Sequence, residues 1–141
     1  MTLYVFDTDH ISLQQRADPA VVQRLRTLRA EDSVATTAIT VEEQVRGRLE
    51  LIRRHSTSTL QVAAYAAFQQ TLHYFTVWQV LGFTQVAFDH VVASRQQRIR
   101  IGSQDLRIAA ITLSNHAVLV TRNTRDFVQV PGLIIRDWSA S

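Results

Sequence analysis

The sequence predicts an α/β fold with a central, mostly parallel sheet, on three observations. Short β-branched or aromatic runs (residues 3–6, 33–39, 84–88, 117–121 and 133–135) alternate with stretches of helical periodicity along the chain. Strands alternating with helices throughout imply a parallel sheet joined by right-handed crossovers. Acidic residues recur where predicted strands give way to helices, at Asp7, Glu43, Asp105 and Asp126. In open α/β sheets that end is where ligands bind.

Taken in order, the run Leu3-Tyr4-Val5-Phe6 reads as a buried strand that breaks off into Asp7-Thr8-Asp9-His10. The structural reading of that polar cluster is an Asx-turn or helix cap; the functional one is a carboxylate site. Residues 20–29 form a helix, with Val21, Val22, Leu25 and Leu28 at helical spacing, Asp18 and Pro19 as start signal, and Arg24, Arg26 and Arg29 on the polar side. After a strand over 33–39, Thr40 is expected to cap a helix over 41–54 with Glu42 and Glu43 in its first turn. Glu42 is read there as simple stabilisation of the helix terminus. A polar link, 55–59, leads to a helix over 60–81 in which Gln61, Gln69, Gln70, His73 and Gln79 are too many polar groups for a membrane span. The two helices make an antiparallel arm whose apolar surface is available to a partner. A strand over 84–88 follows, then a helix capped by Asp89 and basic at Arg95, Arg98 and Arg100. Gly102-Ser103 breaks the chain before Asp105, which heads an apolar helix over 106–113 packed on the sheet. A strand over 117–121, a loop over 122–127 and, after Pro131-Gly132, a short strand over 133–135 complete the chain.

At 141 residues the chain is expected to be a single domain, 1–141, and 46% hydrophobic with 19% charged residues is a globular composition. The absence of cysteine rules out a disulfide framework, a thiolate metal site and a cysteine nucleophile. The chain enters its first strand with no signal-like segment before it, and the expected location is the cytoplasm. All fifteen basic residues are Arg, and the net charge of +3 is a modest push toward an anionic partner.

Asp7, Glu43, Asp105 and either Asn123 or Asp126 all fall at one end of the predicted sheet. Carboxylates converging there repel one another, and a divalent cation relieves that repulsion. An oxygen-only set selects a hard cation, Mg²⁺ or Mn²⁺, and zinc is disfavoured without cysteine or a spaced histidine pair. Each of the five histidines has an ordinary reading as a helix-end or satisfied core residue. A cation with open positions polarises a phosphate and acidifies water for in-line attack, so phosphodiester hydrolysis is the expected chemistry. The arginines near 46–54 and 95–107 would hold the flanking nucleic-acid backbone.

The four segments Asp7-Thr8-Asp9-His10, Thr40-Val41-Glu42-Glu43, Ile101-Gly102-Ser103-Gln104-Asp105-Leu106-Arg107-Ile108-Ala109 and Thr121-Arg122-Asn123-Thr124-Arg125-Asp126-Phe127 together resemble the PIN-domain family in its VapC toxin branch. The likeness extends to Val130-Pro131-Gly132-Leu133 and Asp137-Trp138. It implies a PIN-like three-layer α/β/α fold and a Mg²⁺- or Mn²⁺-dependent endoribonuclease. It also implies a toxin held by a VapB-like antitoxin and commonly a homodimer. Carried onto this chain, the catalytic and metal-binding acids are Asp7, Glu43, Asp105 and Asp126, with Asn123 beside the fourth. Asp9 stands where the family usually has Asn and would add an outer carboxylate, while Thr8 and Thr121 are supporting hydroxyls.

Two rivals remain. Phe6-Asp7-Thr8-Asp9 is also similar to the aspartate pair of haloacid-dehalogenase-like phosphatases, but that chemistry usually enlists a lysine and a following glycine, and this chain has no lysine and His10 at that position. A non-catalytic PIN-fold binding protein is the other, against which stands the cost of keeping Asp7, Glu43 and Asp105 together without a cation.

Overall fold

The computed structural model describes residues 1–139. Five strands, β1 (Leu3–Phe6), β2 (Ser33–Thr37), β3 (Gln79–Leu81), β4 (Val118–Val120) and β5 (Ile134–Arg136), pair in the order β3-β2-β1-β4-β5, every neighbour parallel. Parallel neighbours need crossovers. Helices α1 (Thr8–Gln15), α2 (Pro19–Arg26), α3 (Ala38–Arg54), α4 (Leu60–Phe75), α5 (Gln85–Gln96), α6 (Ser103–Ser114) and α7 (Thr124–Phe127) lie in the connections.

Successive side chains of a strand point to opposite faces, and β1 divides the core accordingly. Val5 joins Ala35 and Leu119 under Ala87 and Val91 of α5 and Ile108 and Ile111 of α6. Phe6 joins Val120 on the other face, against Ile11, Val21, Phe75 and Trp138. The Trp138 ring stands edge-on to Phe6 at 5.2 Å and lies 5.0 Å from Tyr4. Helices on both faces of the sheet give the expected α/β/α layering.

The predicted arm is α3 and α4. They pack on each other, and α4 buries only Ala64, Thr71 and Phe75. The Arg48 Nε–H donates to Thr71 Oγ1 at 3.0 Å, tying the pair together. Leu60, Val62, Tyr65 and Leu72 remain exposed on α4. Among the described residues no helix is long and apolar enough to cross a membrane.

Several predicted boundaries move. The helix expected over 60–81 stops at Phe75, and Gln79–Leu81 instead pairs with Ala35–Thr37 as the edge of the sheet. The strand expected over 84–88 is the start of α5: Thr84 is the cap, accepting from the Ala87 N–H at 3.2 Å, and Asp89 lies inside the helix, accepting from Gln85 Nε2. The β-branched and aromatic residues there lie on the surface, since Val86 and Phe88 are 56% and 49% exposed and only Ala87 is buried. The strand expected to reach Ile39 ends at Thr37, so Thr37 and not Thr40 caps α3, and Glu42 and Glu43 fall beyond the first turn. The helix expected over 20–29 is Pro19–Arg26. The segment after Phe6 is the helix α1, and part of the loop expected over 122–127 is α7.

Thr37 is fully buried and its Oγ1 accepts from the Thr40 N–H at 3.2 Å. Replacing a capping threonine by alanine removes that acceptor and strands the amide. Thr37→Ala is expected to lower unfolding free energy by about 1–2 kcal/mol in urea titration, with an unchanged midpoint arguing against the cap.

Candidate active site

The strand order reverses between β1 and β4, a switch point beyond whose carboxyl ends open sheets bind ligands. Asp7 leaves β1 at that seam, its N–H donating to Val120 O at 3.2 Å. It is 6% exposed and caps α1, with Oδ1 accepting from the His10 N–H at 2.8 Å. The capping reading of this residue therefore holds. Oδ2 has no hydrogen-bond partner among the described residues.

Across the seam, the Thr121 N–H donates to Arg136 O at 2.8 Å, and Thr121 Oγ1 accepts from the Asn123 N–H at 2.9 Å. That turn sets the Asn123 amide between two acids: Nδ2 donates to Asp126 Oδ2 at 3.0 Å and to Asp105 Oδ2 at 3.4 Å. Asp105 stands in the first turn of α6, where the helix dipole favours negative charge. Glu43 reaches in from α3, its Oε1 accepting from Thr8 Oγ1 at 3.1 Å, and Thr8 also shares a hydrogen bond with the buried Thr40.

Burial, above all, pushes the Asp105 carboxyl above its ordinary value, and the charges of Asp7 and Asp126 push the same way while the Asn123 hydrogen bond opposes them. Burial likewise raises Glu43; the Thr8 hydrogen bond opposes it, and Asp105 and Glu42 add to the rise. Asp7, Glu43, Asp105 and Asp126 are thus one electrostatic unit. Among the described residues, no three Asp, Glu or His side chains are drawn together as an ion's inner shell would require. The acids are instead coupled pairwise, through Asn123, through Thr8 and through space. The donor set is nevertheless of the kind a hard divalent cation takes: oxygen only, like-charged and partly desolvated.

Asp9 is engaged elsewhere, accepting at 2.5 and 2.9 Å from the Arg122 guanidinium on the surface. Glu42, read from sequence as a terminus stabiliser, accepts from Arg46 and from Gln104 Nε2 (3.1 Å), while Gln104 accepts from Arg107 Nη1 at 2.6 Å. These interactions hold Glu42 below its ordinary carboxylate value. This rim network was not foreseen, because its partners are 62 residues apart. It lines a cleft of about 440 Å³, and a second cleft of about 410 Å³ runs from Thr8 and Glu43 past Gln44 to Arg48 and Arg54. Also unforeseen was His10, fully buried against Asp7; its spacing of three from an N-cap acid was the available signal.

No family model matches the chain. It is homologous to ribonuclease VapC1 of Haemophilus influenzae (strain R2866), 28% identical over an alignment 145 positions long that covers 97% of this chain and 98% of that protein. Its fold is that of VapBC-1 from nontypeable Haemophilus influenzae, with a TM-score of 0.78 at 24% identity over 98% of this chain and 99% of that one. VapBC2 from Rickettsia felis, solved with a DNA fragment from their promoter, matches with a TM-score of 0.73 at 20% identity over 97% and 99%. The resemblance to PIN-domain VapC toxins carried by the four motifs is borne out in sequence and in fold.

A carboxyl whose folded value is raised binds its proton more tightly in the folded chain, so the stability it confers is present below the ordinary carboxylate range and is lost as pH rises through the folded value. At neutral pH, ionised Asp105 and Glu43 therefore oppose folding. Asp105→Asn is expected to raise the thermal midpoint by a few degrees at neutral pH in EDTA, at most about 1 kcal/mol after discounting the site's partial exposure. The gain should vanish near about pH 4; a midpoint that falls at neutral pH contradicts the repulsion.

Proposed function

We propose that this chain is the ribonuclease toxin of a VapBC-type pair, an endoribonuclease that hydrolyses RNA phosphodiesters with Mg²⁺ or Mn²⁺ held by Asp7, Glu43, Asp105 and Asp126. The observation that carries the reading is the convergence of those acids at the switch point, where Asn123 bonds both Asp105 and Asp126, Thr8 holds Glu43, and Asp7 leaves β1 at the seam. Homology to ribonuclease VapC1 over nearly the full length of both chains supports it.

When bound, the ion supplies neutralising charge to the scissile phosphate and acidity to water. The protein's part is orientation and proton handling. Asp7 is fixed by α1 through one oxygen, which leaves the other for the cleft. Glu43 is oriented by Thr8, whose Oγ1 donates to its Oε1 at 3.1 Å, which leaves its other oxygen to orient the attacking water. The Asn123 amide keeps Asp105 and Asp126 in place without adding a fifth negative charge. Arg46, Arg107, Arg48 and Arg54, which line the two flanking clefts, are placed to pair with phosphates on either side of the cut.

The reading includes a VapB-like antitoxin, a homodimer and a cytoplasmic location. The exposed apolar side chains of α4 favour the arm as the antitoxin's seat, since Val62, Tyr65 and Leu72 share one side of the helix and, with Leu60 near its start, leave apolar surface in water of the kind a partner covers.

Incubated with total RNA in Mg²⁺ or Mn²⁺, the antitoxin-free chain is expected to produce discrete new ends that EDTA abolishes. Asp7→Asn and Asp105→Asn should each reduce cleavage by about 100-fold or more. Intact RNA from a folded, metal-binding chain would transfer the weight to a non-catalytic binding role, and a phosphorylated Asp7 would indicate a phosphatase.

Separately, Leu60→Glu with Tyr65→Glu is expected to weaken antitoxin binding by at least about tenfold while leaving cleavage intact. Unchanged affinity in calorimetry would remove the arm as docking surface.

A further inference from the structure

The chemistry proposed above leaves one buried group without a task. His10 is fully buried, and among the described residues its Nδ1 is the one buried side-chain nitrogen or oxygen with no hydrogen-bond partner. Such groups are rare because water that once satisfied them is not replaced.

The surroundings of the ring fix which nitrogen carries the proton. The Trp138 N–H donates to Nε2 at 3.3 Å, which requires a lone pair there and leaves the ring proton on Nδ1. Asp137 Oδ1 lies 3.7 Å from the same Nε2, beyond hydrogen-bond range, and accepts instead from the Ser139 N–H and Oγ–H at 2.8 and 2.6 Å. Trp138 is itself anchored by its ring against Tyr4 and Phe6, and Phe6 stands edge-on to the imidazole at 5.7 Å. The imidazole is therefore clamped from both sides.

Nδ1 faces one atom of consequence, Asp7 Oδ1, at 3.5 Å. That exceeds the usual hydrogen bond of about 2.9 Å by roughly 0.6 Å, a distance that a small turn of the carboxylate covers. The same Oδ1 already accepts from the His10 backbone N–H at 2.8 Å. Two donors from one residue thus converge on one oxygen of Asp7.

We infer that His10 is a positioning residue: its Nδ1–H holds Asp7 Oδ1 from the protein side so that the carboxylate presents Oδ2 to the divalent ion, and the backbone of Trp138 sets the imidazole for that task. The inference rests on the metal-binding part of the proposed function. It ties the segment after β5 to the acid after β1, so the last described residues help order the site.

Two substitutions separate this role from mere packing. His10→Asn keeps a donor at the Nδ1 position and loses the acceptor for Trp138; His10→Gln keeps the acceptor and loses that donor. With Mn²⁺ affinity read by calorimetry and folding by thermal melting, the Asn variant is expected to bind within about threefold of the parent. The Gln variant should bind about tenfold or more weakly, with kcat on RNA reduced and KM little changed. The reverse order, or losses that track the melting temperature in both variants, overturns the inference. So does a nitrogen-15 spectrum of the parent chain that places the ring proton on Nε2. A parent that binds Mn²⁺ yet leaves RNA intact defeats the ribonuclease reading alone, whereas a parent that binds no Mn²⁺ removes the premise of this inference as well.

Discussion

The hydrogen bond from the Asp7 N–H to Val120 O, 3.2 Å long, registers the two halves of the molecule on each other. It is the last bond of the β1–β4 ladder, in which Tyr4, Val5 and Phe6 oppose Val118, Leu119 and Val120. A slip of one residue would turn Val5 and Phe6 to the wrong faces and empty both cores. Because that register is enforced by burial on both sides, the residue after each strand is delivered to a fixed place. Asp7 and Thr121 are those residues, and the turn that carries Asn123 and Asp126 starts from the second of them.

What the fold delivers there is unfavourable by itself. Asp105 and Glu43 are raised by burial and by other acids, offset by hydrogen bonds from Asn123 and Thr8 and, at Glu43, by the Arg46 charge. The helix termini at Asp7 and Asp105 add a favourable field but leave the acids like-charged. A chain under selection for stability alone would place apolar or neutral groups at such a seam. The four carboxylates there leave an acidic centre, while the rim beyond Glu42 carries the guanidinium groups of Arg46 and Arg107.

The site was more legible in the sequence than the boundaries of the elements that build it. Asp7, Glu43, Asp105 and Asp126 could be read because strand ends in a parallel sheet are a topological location, insensitive to an error of a few residues. Asn123 was read beside Asp126, but its hydrogen bonds to two acids depend on the Thr121 turn, which no periodicity announces. The stretch 79–88 was misread for a physical reason. Three-residue β3 is an edge strand with Gln79 and Val80 exposed, too short for alternation to register, while Val86 and Phe88 on the outside of α5 imitate it. His10 reads from sequence, like the other histidines, as a helix-end or satisfied core residue; it is buried, but its ring faces an acid three residues earlier, a relation that only the cap geometry of α1 reveals.

The arm has a consequence for assembly of the sheet. Strands β2 and β3 are neighbours, yet the chain between them runs through the whole of α3 and α4. Closing such a span as a flexible loop would carry an entropic penalty that grows with the logarithm of its length. Once α3 and α4 have paired as a local hairpin, the ends of the span are already close and most of that penalty has been met by contacts near in sequence. The edge strand is therefore carried to β2 by the hairpin, and any molecule that grips the hairpin also holds the margin of the sheet in place.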